Sequence, residues 1–262
     1  MIGFALQTYT HYLRAIKSSY QNIFRFDEYF LLEEKPENFC LIRHDIDRNP
    51  RNALLMAEVE NKFGIQASYY FRTKRISFKP DIITKISALG HEIGYHYESF
   101  SDMDGNSVAA LLDFGNNLKK IRRIAPVKTI SMHGRPLSRF DNRDLWRDSL
   151  NHSLLKDKFN ILGEIYLDID YTDIAYINDT GRNWYSDKSN LRDRVDSKIK
   201  INFKNNNELL EYLRNKPHSK LVFQIHPERW SNNLIDWVYR FIVDNIVRCL
   251  KDVVRILNQG QK

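Results

Sequence analysis

Two aspartates, Asp45 and Asp47, follow an apolar run that ends at Arg43-His44 and lie two positions apart. Side chains at alternate positions of a strand point to the same face, so a strand here would bring both carboxylates together. Such a pair needs a cation, a shared proton or water, because burying unpaired charge is costly. The pair indicates an active site, although a structural cation site or a cap for a helix near Pro50 would also accommodate it.

Three histidines, His96, His133 and His226, follow other apolar runs that are typical of strands. In parallel α/β folds the carboxyl ends of the strands share one rim, where functional groups gather. We therefore expect these imidazoles to lie near the two aspartates, in a combination suited to metal binding or acid–base chemistry. Each histidine alone could be structural, and His226 could simply turn the chain before Pro227. Together they favour a metal site.

The elements that must position these residues alternate along the chain. Short β-type runs are followed by helical patterns, and this alternation predicts a parallel sheet, either closed or open. The predicted strands are residues 39–43, 66–71, 92–95, 129–132, 164–167, 174–177 and 221–225. The predicted helices are residues 51–63, 80–89, 107–123 and 207–214, with a further amphipathic helix over 231–253 and a long loop over 178–194.

Length and composition restrict the class of protein. The chain has 262 residues, of which 42% are hydrophobic, enough for one large core. We predict one domain over residues 1–262, in which residues 1–38 form a helical extension packed on the barrel. The formal charge of +7 suggests anionic partners. Nucleic acid is not expected among them, because long Lys/Arg runs and nucleic-acid-binding motifs are absent. Two cysteines do not make a disulfide framework.

The sequence predicts a cytoplasmic location. Its first residues lack a basic segment followed by a long apolar stretch, so a secretory signal is not expected. No window approaches the roughly 18 uninterrupted apolar residues of a transmembrane helix. Peripheral contact with a membrane stays open.

Four segments resemble, in order and spacing, the motifs of the polysaccharide deacetylase family, the NodB-type carbohydrate esterases. They are Arg43-His44-Asp45-Ile46-Asp47, Gly90-His91-Glu92-Ile93-Gly94-Tyr95-His96, Ser131-Met132-His133-Gly134-Arg135-Pro136 and Phe223-Gln224-Ile225-His226-Pro227. The resemblance implies an α/β fold, a distorted seven-stranded (β/α) barrel. It also implies a metal-dependent N-deacetylase of the kind that acts in surface-polysaccharide or lipopolysaccharide biosynthesis.

The resemblance carries roles to particular residues. It implies that Asp45 is the general base, that Asp47 and His96 bind the metal, and that His226 is the general acid. We expect the substrate to be a nucleotide- or lipid-linked amino sugar or oligosaccharide. The residues expected to bind it are Arg72, Tyr97, Arg135, Asp179 and Trp184.

One position departs from the family pattern. The family's second metal histidine stands four residues after the first, where this chain has Phe100, which cannot bind a cation. We expect His133 to supply the third ligand, with Glu98 as the next candidate. A set of two histidines and one aspartate suits one divalent metal ion, Zn²⁺ first.

Two alternatives remain open at this point. The first is a degenerate member of the same fold that binds a glycan or serves as a scaffold without catalysis, which Phe100 favours. The second is another metal-dependent hydrolase, such as a phosphoesterase or a cyclic amidase. The presence of Asp45, Asp47, His96 and His226 together favours the deacetylase.

Overall fold

The computed structural model describes residues 3–185 and 192–232, together with residues 235, 237, 238 and 242. The strands are β1 (Ile23–Phe24), β2 (Phe39–Ile46), β3 (Ser68–Phe71), β4 (Glu92–Tyr97), β5 (Thr129–Met132), β6 (Gly163–Glu164), β7 (Ala175–Asn178), β8 (Trp184–Tyr185), β9 (Asn202–Phe203) and β10 (Lys220–Ile225). The helices are α1 (Leu6–Ser19), α2 (Phe26–Leu31), α3 (Pro50–Lys62), α4 (Pro80–Ala88), α5 (Ser99–Asp102), α6 (Ser107–Arg122), α7 (Asp144–Arg147), α8 (Ser149–Asp157) and α9 (Asn206–Asn215).

Seven strands form a parallel sheet in the order β6-β5-β4-β3-β2-β10-β7, and the short β1 pairs with β2. Helices separate most consecutive strands, as the right-handed crossovers of parallel sheets require. The predicted α/β class with seven parallel strands is therefore confirmed. Strands β8 and β9 form a separate antiparallel pair.

The sheet is strongly curled. In a flat sheet, β2 and β5 would lie roughly 14 Å apart, because two strands separate them. Yet the Arg43 guanidinium on β2 donates a hydrogen bond of 2.5 Å to the Ser131 hydroxyl on β5. On the other side, the Tyr176 hydroxyl on β7 donates to Gln224 on β10. Within the described residues β6 and β7 are not paired, so the barrel is incomplete.

Strands β2 and β6 have boundaries that differ from the predicted ones. Strand β2 runs on to Ile46, and all of its residues are buried. Strand β6 is shorter than expected, since the Glu164 carboxylate accepts the backbone N–H groups of Tyr166 (2.8 Å) and Leu167 (2.9 Å) and so ends the extended conformation. Most of the predicted helix over 231–253 and part of the loop over 178–194 lie outside the described residues.

The amino-terminal helix α1 packs on other helices, and α2 contacts the amino ends of β3 and β4. Helix α1 lies against α9 and α3 and buries Tyr9, Tyr12, Leu13 and Ile16. Cys40 on β2 is buried with a free thiol, and Cys249 lies outside the described residues. Among the described helices, none has the length and apolar character needed to cross a membrane.

A buried carboxylate joins these layers. Glu60 on α3 accepts hydrogen bonds from the hydroxyls of Tyr69 (2.7 Å) and Tyr9, and its Oε1 lies 2.6 Å from His44 Nε2 on β2. All four side chains are fully buried. Burial alone would raise the pKa of Glu60, but the neighbouring His44 and His91 hold that pKa below its usual value. The ionised carboxylate thus connects α1 and α3 to the strand that carries the two aspartates.

We predict that Glu60→Ala lowers the free energy of unfolding by roughly 3–5 kcal/mol, because it removes one partner of a buried, hydrogen-bonded pair. The measurement is denaturant unfolding followed by circular dichroism. Glu58→Ala is the matched control, since Glu58 is an exposed glutamate on the same helix and should change stability by less than about 0.5 kcal/mol. Equal effects of the two substitutions would contradict the role of the cluster.

Candidate metal centre and active site

Three of the predicted side chains meet at the carboxyl end of the sheet. Asp47 follows β2, His96 lies near the end of β4, and His133 follows β5. One ligand atom from each residue lies within 4.8 Å of the others. Oδ1 of Asp47 is 3.4 Å from Nε2 of His96 and 3.3 Å from Nε2 of His133. The structure thus brings together the aspartate and two histidines that the sequence analysis expected to bind a metal ion.

Hydrogen bonds orient both imidazoles toward Asp47. Nδ1 of His96 lies 3.1 Å from the backbone carbonyl of Ser131, and Nδ1 of His133 lies 3.0 Å from a carboxylate oxygen of Glu98. A carbonyl and a carboxylate only accept hydrogen bonds, so each Nδ1 carries a proton, and in the neutral imidazole each Nε2 has the lone pair that a metal ion needs. This is the arrangement by which proteins fix histidine ligands to a metal.

The three residues fit a divalent cation. Oδ1 of Asp47 is buried and accepts no hydrogen bond within the described structure, although it lies close to both Nε2 atoms. A buried carboxylate oxygen without a partner is unfavourable, and a bound cation would remove that penalty. One carboxylate and two imidazoles also leave a coordination position open, as in catalytic zinc sites.

Glu98, the next candidate for the third ligand, contacts His133 on the side of the ring opposite Nε2. Its two oxygens are engaged by the Arg72 guanidinium at 2.9 and 3.0 Å. Burial opposes ionisation, but His133 and Arg72 outweigh it and lower the pKa of Glu98 to about 2. Arg72 also donates to the backbone carbonyl of Asp47 at 3.2 Å. Arg72, expected to bind substrate, is thus also part of the scaffold that holds the ligands.

Asp45 is held as an ionised group by two neighbours. Arg43 donates to both of its oxygens, at 2.7 and 2.6 Å, and the Gln224 amide donates to Oδ2 at 2.7 Å. Burial would raise the pKa of Asp45, but Arg43 and His96 hold it below its usual value. Sequence reasoning missed Gln224 and the role of Arg43. The alternation of side chains along a strand could have indicated both residues, because Arg43 lies two positions before Asp45 and Gln224 two positions before His226, on the same face of each strand.

His226 is a buried cation. Its Nδ1 lies 2.6 Å from Oδ1 of Asp179, whose carboxylate also accepts from Nε1 of Trp230 at 2.9 Å. Burial and Arg229 oppose protonation, but Asp179 and Glu228 outweigh them and raise the pKa of His226 to about 9. Its charge in turn contributes to the lowered pKa of Asp45 and of Asp47. In this structure the carboxylate of Asp179, which was expected to bind substrate, is in contact with His226 and Trp230.

Two aromatic residues that were expected to bind substrate, Tyr97 and Trp184, are buried in the core. Tyr97 is fully buried and makes edge contacts with the rings of Phe114 and Trp146. Trp184 is 5% exposed, stacks on Phe4 at 5.4 Å and donates to Asn206 at 2.8 Å. Neither has a free ring face for a sugar.

A cavity of about 680 Å³ opens beside the candidate metal centre. Asp47 and His133 contribute to its wall, and so does Arg135, which pairs with Asp102 at 2.5 Å and keeps 39% of its side chain exposed. Glu228, which sequence reasoning missed, also lines it; burial and Asp47 raise the pKa of that carboxyl to about 7. The cavity has the size of a small-molecule site.

The side chain at the substituted position of the second motif is packed against another aromatic ring. Phe100 is partly buried and packs edge-on against Phe140, with ring centroids 5.7 Å apart. The third ligand position is therefore available to His133 and not to the residue at position 100.

No family model and no curated protein matches this chain. Among solved structures, a CE4 family pseudoenzyme from Bacillus anthracis aligns over 82% of this chain and 61% of its own, with 13% identity and a TM-score of 0.42. A family 4 carbohydrate esterase from Bacillus anthracis aligns over 97% and 94%, with 13% identity and a TM-score of 0.38. The Xyl-CE4 domain of a multidomain xylanase from the hindgut metagenome of Trinervitermes trinervoides aligns over 72% and 88%, with 11% identity and a TM-score of 0.37. This chain spans less than two thirds of that pseudoenzyme.

We predict that the protein purified without chelator contains about one equivalent of a divalent metal, and that His96→Ala, His133→Ala and Asp47→Ala each lose it. The measurement is elemental analysis. His11→Ala is the control, because His11 lies on α1, belongs neither to the cluster of candidate ligands nor to the lining of the cavity, and should leave the metal content unchanged. Full metal content in any of the three ligand variants would remove that residue from the ligand set.

We predict that Glu98→Gln lowers metal affinity by roughly 10–100-fold while the stoichiometry stays at one, because the imidazole of His133 loses its anionic partner. Competition titration against a coloured zinc chelator measures the dissociation constant. An affinity equal to that of the unchanged protein would mean that the hydrogen bond between Glu98 and His133 does not tune the site.

Proposed function

We propose that this protein is a metal-dependent N-deacetylase, which hydrolyses an acetamido or formamido group on an amino sugar. The observation that supports this proposal is a single rim carrying Asp47, His96 and His133 together with the ionised Asp45 and the protonated His226. Amide hydrolysis needs three things from a protein: an activated water, a proton acceptor and a proton donor to the leaving nitrogen. This set of side chains matches all three.

Asp47, His96 and His133 would hold the metal ion. When bound, a divalent cation such as Zn²⁺ supplies Lewis acidity, which lowers the pKa of water from 15.7 to roughly 7 and polarises a carbonyl. Arg72 and Glu98 keep the His133 ring in place, and the Ser131 carbonyl does the same for His96.

Asp45 is the proton acceptor in this proposal. Arg43 and Gln224 take three of the four lone-pair positions on its carboxylate and leave one on Oδ1 for the proton of water. The same contacts fix the direction in which that lone pair points. The lowered pKa of Asp45 makes it a weak base but keeps it ionised and ready at neutral pH.

His226 is the proton donor. Asp179 accepts the hydrogen bond from Nδ1, so the proton available for the departing amine is on Nε2. Protonation of the nitrogen is required before the carbon–nitrogen bond breaks, because an amide anion is a poor leaving group. The pKa of about 9 ensures that the proton is present over the neutral range.

We place this activity in cell-surface polysaccharide or lipopolysaccharide biosynthesis, and in the cytoplasm. A cytoplasmic enzyme meets glycan precursors and not finished extracellular polymer, and the net charge of +7 is compatible with an anionic precursor.

A second candidate function is glycan binding without catalysis. Phe100 occupies the position of the family's other metal histidine, and both oxygens of Asp45 already accept hydrogen bonds from the protein. A carboxylate so engaged is a weaker base than a free one.

The deciding experiment is the release of acetate or formate from N-acylated sugar nucleotides and lipid-linked sugars by zinc-loaded protein. We predict that Asp45→Asn and His226→Gln reduce the rate by roughly 10²–10⁴-fold each while metal content stays at one equivalent. His11→Ala should retain the full rate. Saturable glycan binding without release by the metal-loaded protein would favour the second candidate.

We predict that the imidazole of His226 in metal-free protein titrates near pH 9 and that Asp179→Asn moves this midpoint to lower pH. Asp179 raises the pKa of His226 because its negative charge stabilises the imidazolium, so neutralising it lowers the pKa. Imidazole resonances followed by NMR across pH 5–10 give both midpoints. In active, metal-loaded protein the rate should fall as pH rises through the pKa of His226, which the nearby cation lowers, and this alkaline limb should also move lower in Asp179→Asn. Identical midpoints would contradict the pairing.

A further inference from the structure

Arginines dominate the charged lining of the cavity beside the metal centre. Five of them contribute to its described wall, against three carboxylates. They come from four different strand ends: Arg48 follows β2, Arg72 follows β3, Arg135 and Arg139 follow β5, and Arg229 follows β10. Because they converge from separate parts of the chain, they are a property of the folded cavity and not of one basic run.

The arginines differ in how far their charge is already balanced. Arg72 is paired with Glu98, Arg229 with Asp179, and Arg135 with Asp102. Asp102 is also paired with Lys74 at 2.6 Å, so one carboxylate serves two cations there. Arg139 is exposed, and among the described residues its guanidinium contacts only the ring of Phe140, at 4.7 Å. Asp104 also lines this wall, so two carboxylates, Asp102 and Asp104, stand against the three cations Lys74, Arg135 and Arg139, and positive charge is in excess there.

The loop that carries these two arginines is held in place by the protein. The Arg192 guanidinium donates to the backbone carbonyls of Ser138 and Phe140, and the Asn142 amide donates to the carbonyl of His133 at 2.8 Å. The loop thus holds Arg135 and Arg139 in the same wall as the metal ligand His133. Such fixed positioning reduces the entropy lost when a ligand binds.

The arginine-rich lining of this cavity differs from the binding sites of neutral polysaccharides. Sugar rings are bound by aromatic faces and by amide or carboxylate groups, whereas Tyr97 and Trp184 are buried in the core. Guanidinium groups match the charge and the paired oxygens of a phosphate.

We propose that Arg135 and Arg139 form a subsite for a phosphoryl group, so that the substrate is a glycosyl phosphate or diphosphate. This inference rests on the proposed N-deacetylase function, and it deepens that proposal by naming the substrate class. The phosphoryl group lies against the loop after β5, in the same cavity as Asp47 and His133. A cavity of about 680 Å³ accommodates a sugar together with its phosphate.

The test uses the full chain after chelator treatment, so that the metal ion cannot bind the anion. Inorganic pyrophosphate is titrated into the unchanged protein, Arg139→Gln, Arg135→Gln and the control Arg123→Gln by calorimetry. Arg123 is an exposed arginine after α6 that does not line the cavity. We expect saturable binding by the unchanged protein and by Arg123→Gln, weakening with salt, and a loss of roughly 10-fold or more in each of the other two variants.

Two outcomes would overturn the subsite: metal-free protein that does not bind pyrophosphate, or an Arg139→Gln variant that binds it as tightly as Arg123→Gln. Neither depends on metal content or acyl release, so failure here is distinguishable from failure of the proposed function. Circular dichroism of each variant verifies the fold. Competition of pyrophosphate with uridine diphosphate and with farnesyl diphosphate then separates a nucleotide from a lipid carrier, and displacement by either supports the subsite.

Discussion

The ion pair between Arg43 and Asp45 in the interior of the curled sheet is the interaction on which the rest of the structure depends. Both side chains are withdrawn from water, with exposures of 0% and 1%. Such burial costs several kcal/mol per ion unless the geometry is good and further hydrogen bonds are made. Here Ser131 and Gln224 supply those bonds, and the rings of Tyr166 and Tyr70 lie 4.6 and 5.6 Å from the guanidinium. Side chains from across the sheet must turn inward to meet one arginine, which favours curling.

The same pair explains why two aspartates on one strand end have different chemistry. Asp45 has a guanidinium counter-ion within the protein, so its charge is balanced and its oxygens are oriented. Asp47, two residues later, faces two imidazole nitrogens and has no cation of that kind on Oδ1. One carboxylate is thereby suited to take a proton and the other to bind a metal ion. The two roles differ because the two positions at this strand end have different neighbours.

The sequence predicted the frame well because periodicity and strand-end placement are local properties. The strand over 129–132 was placed to the residue, and the expected ligands met at one rim. What could not be predicted depends on contacts between distant segments. Tyr97 and Trp184 were expected to stack on sugar rings. A sequence does not reveal which aromatic side chains are already packed in the core. Glu228 and Arg139 belong to no recognised motif, so their place in the cavity wall could be seen only in the folded structure.

Among the described residues, the facing edges of β6 and β7 are not joined by backbone hydrogen bonds. The seam between them is covered by side chains: the Tyr166 ring lies over Arg43, and Tyr171 contacts Tyr176 and donates to the carbonyl of Ile165 at 3.0 Å. At this seam aromatic rings shield the barrel interior from water, as paired strands do in a closed barrel. Strand β2 is separated from this seam by paired strands on both sides, so its two aspartates do not depend on the seam for backbone support.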